Sequence, residues 1–472
     1  MPIDLTKPLS WKNASTEEQR MLQCLQGNIL KAHGRPETLN IFFRLDPAQQ
    51  LQSKRALREL ANYHITTADK QLRETEQFQA TKKPGSVFVA AFLSAQGYTA
   101  LGVAAMPNEP FFLNGMRDQS SLSSLNDDLA NWEAAFAQQI DGMILIGDMT
   151  RSGVDHKRFE IAKLLDEAGA VILHEQVGSA VKNHADVGIE HFGYVDGRSQ
   201  PLLLVEDVVD EAATAGSARW DPSFGLNAAL VQDPAANDPD SFGSYFIFRK
   251  LEQNVRGFKR REQELADALG LIADARELAG ALVVGRFEDG TPVTMADDSK
   301  GQVPPNDFNY GNDPGSRCPF HAHIRKVNPR HPDPFERSHI MPRRGIPFTE
   351  TPRSVPPSDV PDAQSLADFD QTIAPLLPTG GVGLLFMAYN RSLTDQFVFT
   401  QQLWANNQNF PAPNTGIDPI IGQGPGAAVA QTWPGGWDDT AKPSVAFGFS
   451  GFVTMRGGEY FFAPSLTFLK NL

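Results

Sequence analysis

Apolar and polar positions alternate along this chain in two recurring ways, one with the period of a helix and one with that of a strand. Ser15-Thr16-Glu17-Glu18 reads as a capping box opening a helix that runs towards Gly27. Residues 39–45 (LNIFFRL) predict a strand, residues 47–74 a helical stretch, and residues 87–93 and 143–146 two more strands. A helix over 155–167 and a strand over 171–174 complete the order β-α-β-β-α-β, the ferredoxin-like split unit. A further helical segment is predicted over 124–138.

The second half echoes that order more weakly. Residues 245–249 (YFIFR) predict a strand, 255–280 one long helix, 382–389 (VGLLFMAY) a buried strand, 396–408 a helix, and 461–468 a final strand with its turn. Pro- and Gly-rich tracts at 301–318, 327–363 and 411–443 separate them, and loops of that length are usually functional or act as lids. The pattern therefore predicts an α+β protein of two ferredoxin-like halves, each an antiparallel sheet with helices on one face. An acidic, Ala- and Asp-rich stretch between 205 and 243 holds the boundary, drawn here as 1–225 and 226–472.

Bulk properties narrow the function classes. A chain of 472 residues exceeds one core of ordinary size, which fits two units. A net charge of −14 argues against nucleic acid as a partner, because phosphate contacts need clustered Lys and Arg. No secretory signal, twin-arginine signal or long apolar run is seen, so neither export nor a membrane span is expected. The two cysteines, Cys24 and Cys318, lie far apart and suggest reduced cytoplasm over a disulfide scaffold.

Three segments concentrate chemistry. In Gly193-x-x-Asp196-Gly197, glycines flank a carboxylate, so a tight turn can present it to a cavity; an ordinary Asp-Gly turn is the plain alternative. Residues 318–330 (CPFHAHIRKVNPR) gather metal ligands and cations. A neutral imidazole there suits haem iron, and adjacent cations such as Arg325 suit haem propionates. Spacing alone equally allows loop histidines, a zinc pair from His321 and His323, or a Cys318 thiolate ligand. The third segment, 339–348, carries the pair Arg343-Arg344 before a Gly and a Pro: a basic turn, or a guanidinium that stabilises negative charge in a cavity.

Together these segments resemble the dye-decolorizing peroxidase family. GYVDG fits its Gly-x-x-Asp-Gly motif, with EHFG before it and SQP after. AHIRKVNPR is similar to the proximal-histidine segment, and RRGIPF to the distal-arginine segment. QGNILKAHGR, FRKLEQNVRGF, GRFEDGTPV and FVFTQQLWANNQNF extend the likeness in order over most of the chain, in the manner of the larger branch with long insertions. The resemblance implies a barrel of the dimeric α+β type, with one haem b per chain held mainly by the C-terminal half. It implies His323 as the axial ligand of the iron, with His321 a neighbour. Asp196 is then the distal carboxylate and Arg343 the distal arginine, with Arg344 its rival in register; Gly193, Gly197 and Arg325 border the haem.

The implied activity is reduction of hydrogen peroxide and oxidation of bulky aromatic donors, dyes and phenols, through a ferryl intermediate. Asp196 would shuttle the proton between the peroxide oxygens, and Arg343 would stabilise the departing one. An acceptor for the second N–H of His323 would raise its basicity, and Asp395 is the candidate. Aspartate ionises near 3.9 in the absence of perturbation, so an acidic optimum is expected. Trp404 and Tyr389 are candidates for passing electrons from donors too large to enter, although packing alone would explain both. Rival classes are a haem- or iron-handling protein of the same fold with little turnover, a non-haem metal enzyme built on His321, His323 and Asp196, and a structural cargo or interaction protein.

Overall fold

The computed structural model describes residues 3–300, 305–424 and 431–472; residues 301–304 of the first Pro-rich tract and 425–430 of the last lie outside it. The strands are β1 Glu37–Arg44, β2 Phe88–Leu93, β3 Gly142–Asp148, β4 Val171–Ser179, β5 Val181–Lys182, β6 Gly188–Ile189, β7 Val231–Gln232, β8 Phe242–Gln253, β9 Ile346–Thr349, β10 Val382–Asn390, β11 Gln431–Trp433, β12 Val445–Phe447 and β13 Val453–Ala463.

The main sheet runs β4-β1-β3-β2-β13-β8-β10-β9, with β7 paired to β8 off that path. All its pairings are antiparallel. Its two quartets repeat one topology. Numbering strands within each quartet, both read fourth-first-third-second, the order of a ferredoxin-like unit. The units join where β2 meets β13 at Leu93 and Phe462. The outer strands β4 and β9 also pack together, closing the sheet towards a barrel.

β2 and nearly all of β1 and β3 are buried, which is why they read as almost continuous apolar runs: helices cover one face and the barrel interior the other. Aromatic rings from both units meet inside. Phe42 of β1 lies edge-on to Phe248 of β8 at 4.8 Å, and Phe92 of β2 stacks on Phe246 of β8 at 4.2 Å. Each buried Phe contributes about 1.5–3 kcal/mol. The same contacts join the halves.

Helices Gln50–Tyr63 and Arg151–Glu167 belong to the first unit, and Val255–Ala268 and Glu277–Val284 to the second. Ser15 forms the anticipated capping box of helix Thr16–Cys24. Four local expectations need correction. The single helix over 255–280 is two helices, because Gly270 takes φ +70° just past the first and ends it. The segment 124–138 is not a helix: helix Gln119–Leu125 ends at left-handed Asn126, and Asp127 turns inward to pair with buried Arg249 at 2.7 Å. Residues 396–408 wind in wide π-type turns, Leu393–Val398 and Thr400–Ala405. Strand β9 lies inside the tract read as loop at 327–363.

Candidate functional site

The turn after β6 is built around Glu190. Its carboxylate accepts the N–H groups of Phe192 at 2.8 Å and Tyr194 at 3.1 Å. Burial pushes this carboxyl up to about 7, against the pull of those donors. Gly193 at φ +103° and Gly197 at φ +75° take conformations that a side chain would strain, and between them the turn presents Asp196 at the cavity.

Arg343 and Arg344 follow Pro342 on an extended segment bridged to β10, where the N–H of Arg344 donates to Met387 O at 2.7 Å. Successive side chains on such a segment leave on opposite faces. Arg343 lines the cavity, donating to Arg198 O at 3.2 Å, and its N–H donates to Gln200 Oε1 at 2.9 Å. Arg344 turns away and donates to Asn28 O at 2.7 Å and Ile29 O at 2.9 Å. The period of a strand therefore separates the two registers.

His323 opens the short helix His323–Val327. Its Nδ1 lies 2.8 Å from Asp418 Oδ2, and the Asp418 side chain is 0% exposed. The other carboxylate oxygen accepts the N–H groups of Ile420 at 2.8 Å and Ile421 at 2.9 Å. Burial alone would lower the imidazole's pKa, but the Asp418 carboxylate outweighs it and holds His323 above its ordinary value. Burial alone would raise Asp418, but His323 and the backbone donors hold it down. With Nδ1 committed to Asp418, Nε2 is the nitrogen left for the cavity that His323 lines.

The cavity holds about 1680 Å³ of empty space, its open mouth included. Asp196, His323 and Arg343 all line it, with apolar walls from Ile324, Leu384, Phe386, Phe397 and Ile420. Arg286 and Arg330 also border it and share acceptors: Arg286 donates to Ser199 Oγ at 3.1 Å, Arg330 to Asn306 Oδ1 at 2.6 Å, and each reaches the other's acceptor. Burial, with the neighbouring Arg330, lowers the first to about 9, and burial lowers the second to about 10. Two cations on shared neutral acceptors suit an anionic ligand.

Several sequence expectations change. Asp395 is not the partner of His323: its side chain is 58% exposed and lies 3.8 Å from Arg391, and Asp418 takes the place assigned to it. Arg325 does not line the cavity. It is buried, donates to Cys318 O and to Asp313 O at 2.7 Å, and holds the 313–318 loop. His321 packs edge-on to Trp433 at 4.4 Å, and burial lowers its pKa to about 3. Cys318 is fully buried, with its thiol pushed up to about 12. Among the described residues, no group of three or more His, Cys, Asp or Glu side chains is arranged to hold a metal ion directly. Tyr389 packs inside the barrel against Phe246, and Trp404 is 2% exposed, stacked on Phe410 at 5.2 Å, so neither is a surface residue.

The donor set fits a planar iron tetrapyrrole: one imidazole nitrogen towards a cavity, apolar walls for the ring, and paired arginines for its carboxylates. An α+β barrel with that pocket is the architecture of a haem protein. The model of the DyP dimeric alpha+beta barrel domain matches residues 25–181. Over 100% of both chains, this sequence is 44% identical to the multifunctional dye peroxidase DyP2 of Amycolatopsis sp.. The solved structure of DyP2 from Amycolatopsis sp. superposes with a TM-score of 0.91 at 43% identity, covering 100% of each chain. A DyP-type peroxidase of Anabaena sp. follows at TM-score 0.89 and 38% identity, covering 99% of this chain and 98% of that one. A dye-decolorizing peroxidase solved in complex with 2,6-dimethoxyphenol gives 0.73 and 27%, covering 95% and 98%. The chain belongs to the dye-decolorizing peroxidase family and is a peroxidase that oxidises aromatic donors with hydrogen peroxide. Enzymes of this family are haem enzymes. Among the described residues, no helix is long and apolar enough to cross a membrane.

Asp418 and the pair Arg286 and Arg330 are the site residues the sequence reading did not assign. Both arginines sit in family-like stretches, GRFEDGTPV and AHIRKVNPR. Asp418 carries no such signal, since it meets His323 across 95 residues.

Proposed function

We propose that this peroxidase binds one haem b per chain through His323 Nε2, and that Asp196 and Arg343 carry the peroxide chemistry. The observation that carries the reading is the His323–Asp418 hydrogen bond at the wall of a cavity that Asp196 and Arg343 also line. When bound, the haem supplies the iron that takes up peroxide and the oxidising equivalents passed to donors. Asp418 fixes the tautomer of His323, keeping the proton on Nδ1 and the lone pair on Nε2. Arg286 and Arg330 pair with the haem carboxylates. Gly197 lines the cavity and would let the turn backbone border the haem, whereas Gly193, also expected to border it, lies outside the cavity lining beside Glu288.

Asp196 accepts a proton from one peroxide oxygen and delivers it to the other, so that the second oxygen leaves as water. Arg343 stabilises the negative charge on the leaving oxygen, and its bonds to Arg198 O and Gln200 Oε1 hold the guanidinium in place. Donors are bulky aromatics, dyes and phenols, a class supported by the relative solved with 2,6-dimethoxyphenol. Trp404 stands edge-on to His339 at 5.4 Å, and His339 lines the cavity, so Trp404 is the better placed of the two electron-transfer candidates. The unit boundary is placed at 225/226. The free cysteines, Cys24 and Cys318, suit the cytoplasm.

The test is direct. Protein from cells given haem precursor is expected to show a Soret band, and His323→Ala is expected to lose it. Asp196→Asn is expected to keep the band but react slowly with peroxide. A wild-type protein that takes up no haem, or a His323→Ala protein with an unchanged band, overturns the reading.

A further inference from the structure

Lys326 is a buried cation with no carboxylate among its hydrogen-bond partners. It is 0% exposed, three residues after His323 on the same short helix. Its Nζ donates to Asn407 O at 2.7 Å, Phe410 O at 2.7 Å and Gly416 O at 2.5 Å. An ammonium has three N–H donors, and three backbone carbonyls satisfy them all. Burying a charge is costly unless it is well bonded, so a lysine here needs a reason. Burial lowers its pKa to about 8, with Asp418 working the other way.

The three carbonyls belong to the segment 407–416, which leads into Asp418. The far side of that segment is tied elsewhere: Asp418 N–H donates to Ala405 O at 2.8 Å, and Ile417 O accepts from Gln431 Nε2 at 3.0 Å. Lys326 ties its near side to the helix of His323. One ammonium thus spans the two segments whose separation determines the Asp418–His323 distance. The shape of its donors matters: a tetrahedral head meets three converging carbonyls, whereas a planar guanidinium presents a flat fork.

We propose that Lys326 is a positioning residue, which sets the Asp418–His323 hydrogen bond by tying loop 407–416 to helix His323–Val327 and so governs how strongly His323 donates to the iron. This rests on the reading of His323 as the haem ligand. A ligand imidazole bonded to a carboxylate gains basicity, which favours ferric over ferrous iron. Loosening the tie therefore raises the ferric/ferrous potential and weakens the iron–histidine bond.

The experiment uses the haem-loaded protein and reads the ferric/ferrous midpoint potential and the iron–histidine stretching band of the reduced form. Lys326→Met keeps the chain length and removes charge and donors. It is expected to shift the potential upward and the band downward, in the direction of Asp418→Asn. The double variant Lys326→Met/Asp418→Asn is expected to match Asp418→Asn alone, because both act through one hydrogen bond. Lys326→Arg is expected to fall between wild type and Lys326→Met. If Lys326→Met does not fold or load, Lys326→Gln, which keeps two donors, is expected to give a smaller shift of the same sign. A lowered melting temperature with potential and band unmoved overturns the proposal, as does full additivity in the double variant. His323→Ala separates the two readings. If it keeps the wild-type Soret band, the ligand assignment fails; if it loses the band while the Lys326 variants stay unmoved, only the present inference fails.

Discussion

Replacing Asp418 with asparagine isolates what its carboxylate does for haem binding. In the wild-type site Oδ2 accepts the proton on His323 Nδ1 at 2.8 Å, and Oδ1 accepts two backbone N–H groups at 2.8 and 2.9 Å. Asparagine has one oxygen. If that oxygen stays with the N–H groups of Ile420 and Ile421, its NH2 faces His323 Nδ1 and drives the ring proton to Nε2, the nitrogen needed by the iron. If it turns to His323, two buried N–H donors face an NH2, at about 1–3 kcal/mol for each donor left unsatisfied. Either route also exchanges a hydrogen bond to a charged group, worth about 1.5–3 kcal/mol, for a neutral one worth about 0.5–1.5. A loss of about 2 kcal/mol is the expectation, or about thirtyfold in haem affinity. Transfer of haem from each variant to excess apomyoglobin measures it. Asp395→Asn is the control, because its exposed side chain lies away from His323. Asp418→Asn protein that holds haem as tightly as wild type would refute the tautomer argument.

Asp196→Asn is expected to slow the peroxide reaction by about 10²–10⁴-fold, and rapid-mixing kinetics reads this directly. Arg343→Leu is expected to cost about 10²–10³-fold in the same step, whereas Arg344→Leu should affect melting temperature more than rate; the reverse ranking would restore the rival register. Trp404→Phe is expected to slow bulky dyes more than peroxide consumption, and equal slowing would return Trp404 to a packing role. Glu190 gives a pH prediction: its folded value of about 7 lies above the ordinary 4.5, so the folded state holds more protons between them. Its contribution to stability is therefore full below about 4.5 and is lost as pH rises through 7, by at most about 3 kcal/mol. Glu190→Gln should remove that part of the slope in urea midpoints measured from pH 4 to 8, and an unchanged slope would count against the buried carboxyl.

The strands that carry the fold were legible because each unit buries both faces of its inner strands, which leaves apolar runs such as FVAAFL and VGLLFMAY. β9 was not legible, since four residues including a proline, inside a Pro-rich tract, have no period to detect. The chemistry showed the same division. Asp196, His323 and Arg343 stand in motifs and line one cavity. Arg325 misled because a cation beside the ligand histidine looks like a propionate partner, whereas its guanidinium is spent on Asp313 O and Cys318 O. Asp395, the expected acceptor, is exposed beside Arg391, and nothing local in the sequence points to a carboxylate that reaches His323 from a distant loop. Asp418 was hidden because a hydrogen bond across 95 residues is a property of the tertiary fold.

Asp196 comes from the turn after β6, between the two strand quartets, and Arg343 and His323 from segments between β8 and β10, so the proposed chemistry depends on how that turn is held against the second quartet. The ladder joining the quartets is thin, with β2 and β13 registered at Leu93 and Phe462. Additional ties run through the distal turn itself. His191 Nε2 lies 2.8 Å from Phe348 O on β9, and Gln200 Oε1 accepts the N–H of Arg343 at 2.9 Å. These two bonds flank Asp196 in sequence and anchor its turn to the second unit on either side. Burial lowers the His191 pKa to about 4, so its ring stays neutral and its bonding does not change across the mildly acidic range in which an aspartate can act as base. A misplacement of about 1 Å can cost a hundredfold in rate. The SQP that follows the Asp-Gly motif is thus part of the chemistry: its glutamine holds the backbone from which Arg343 projects.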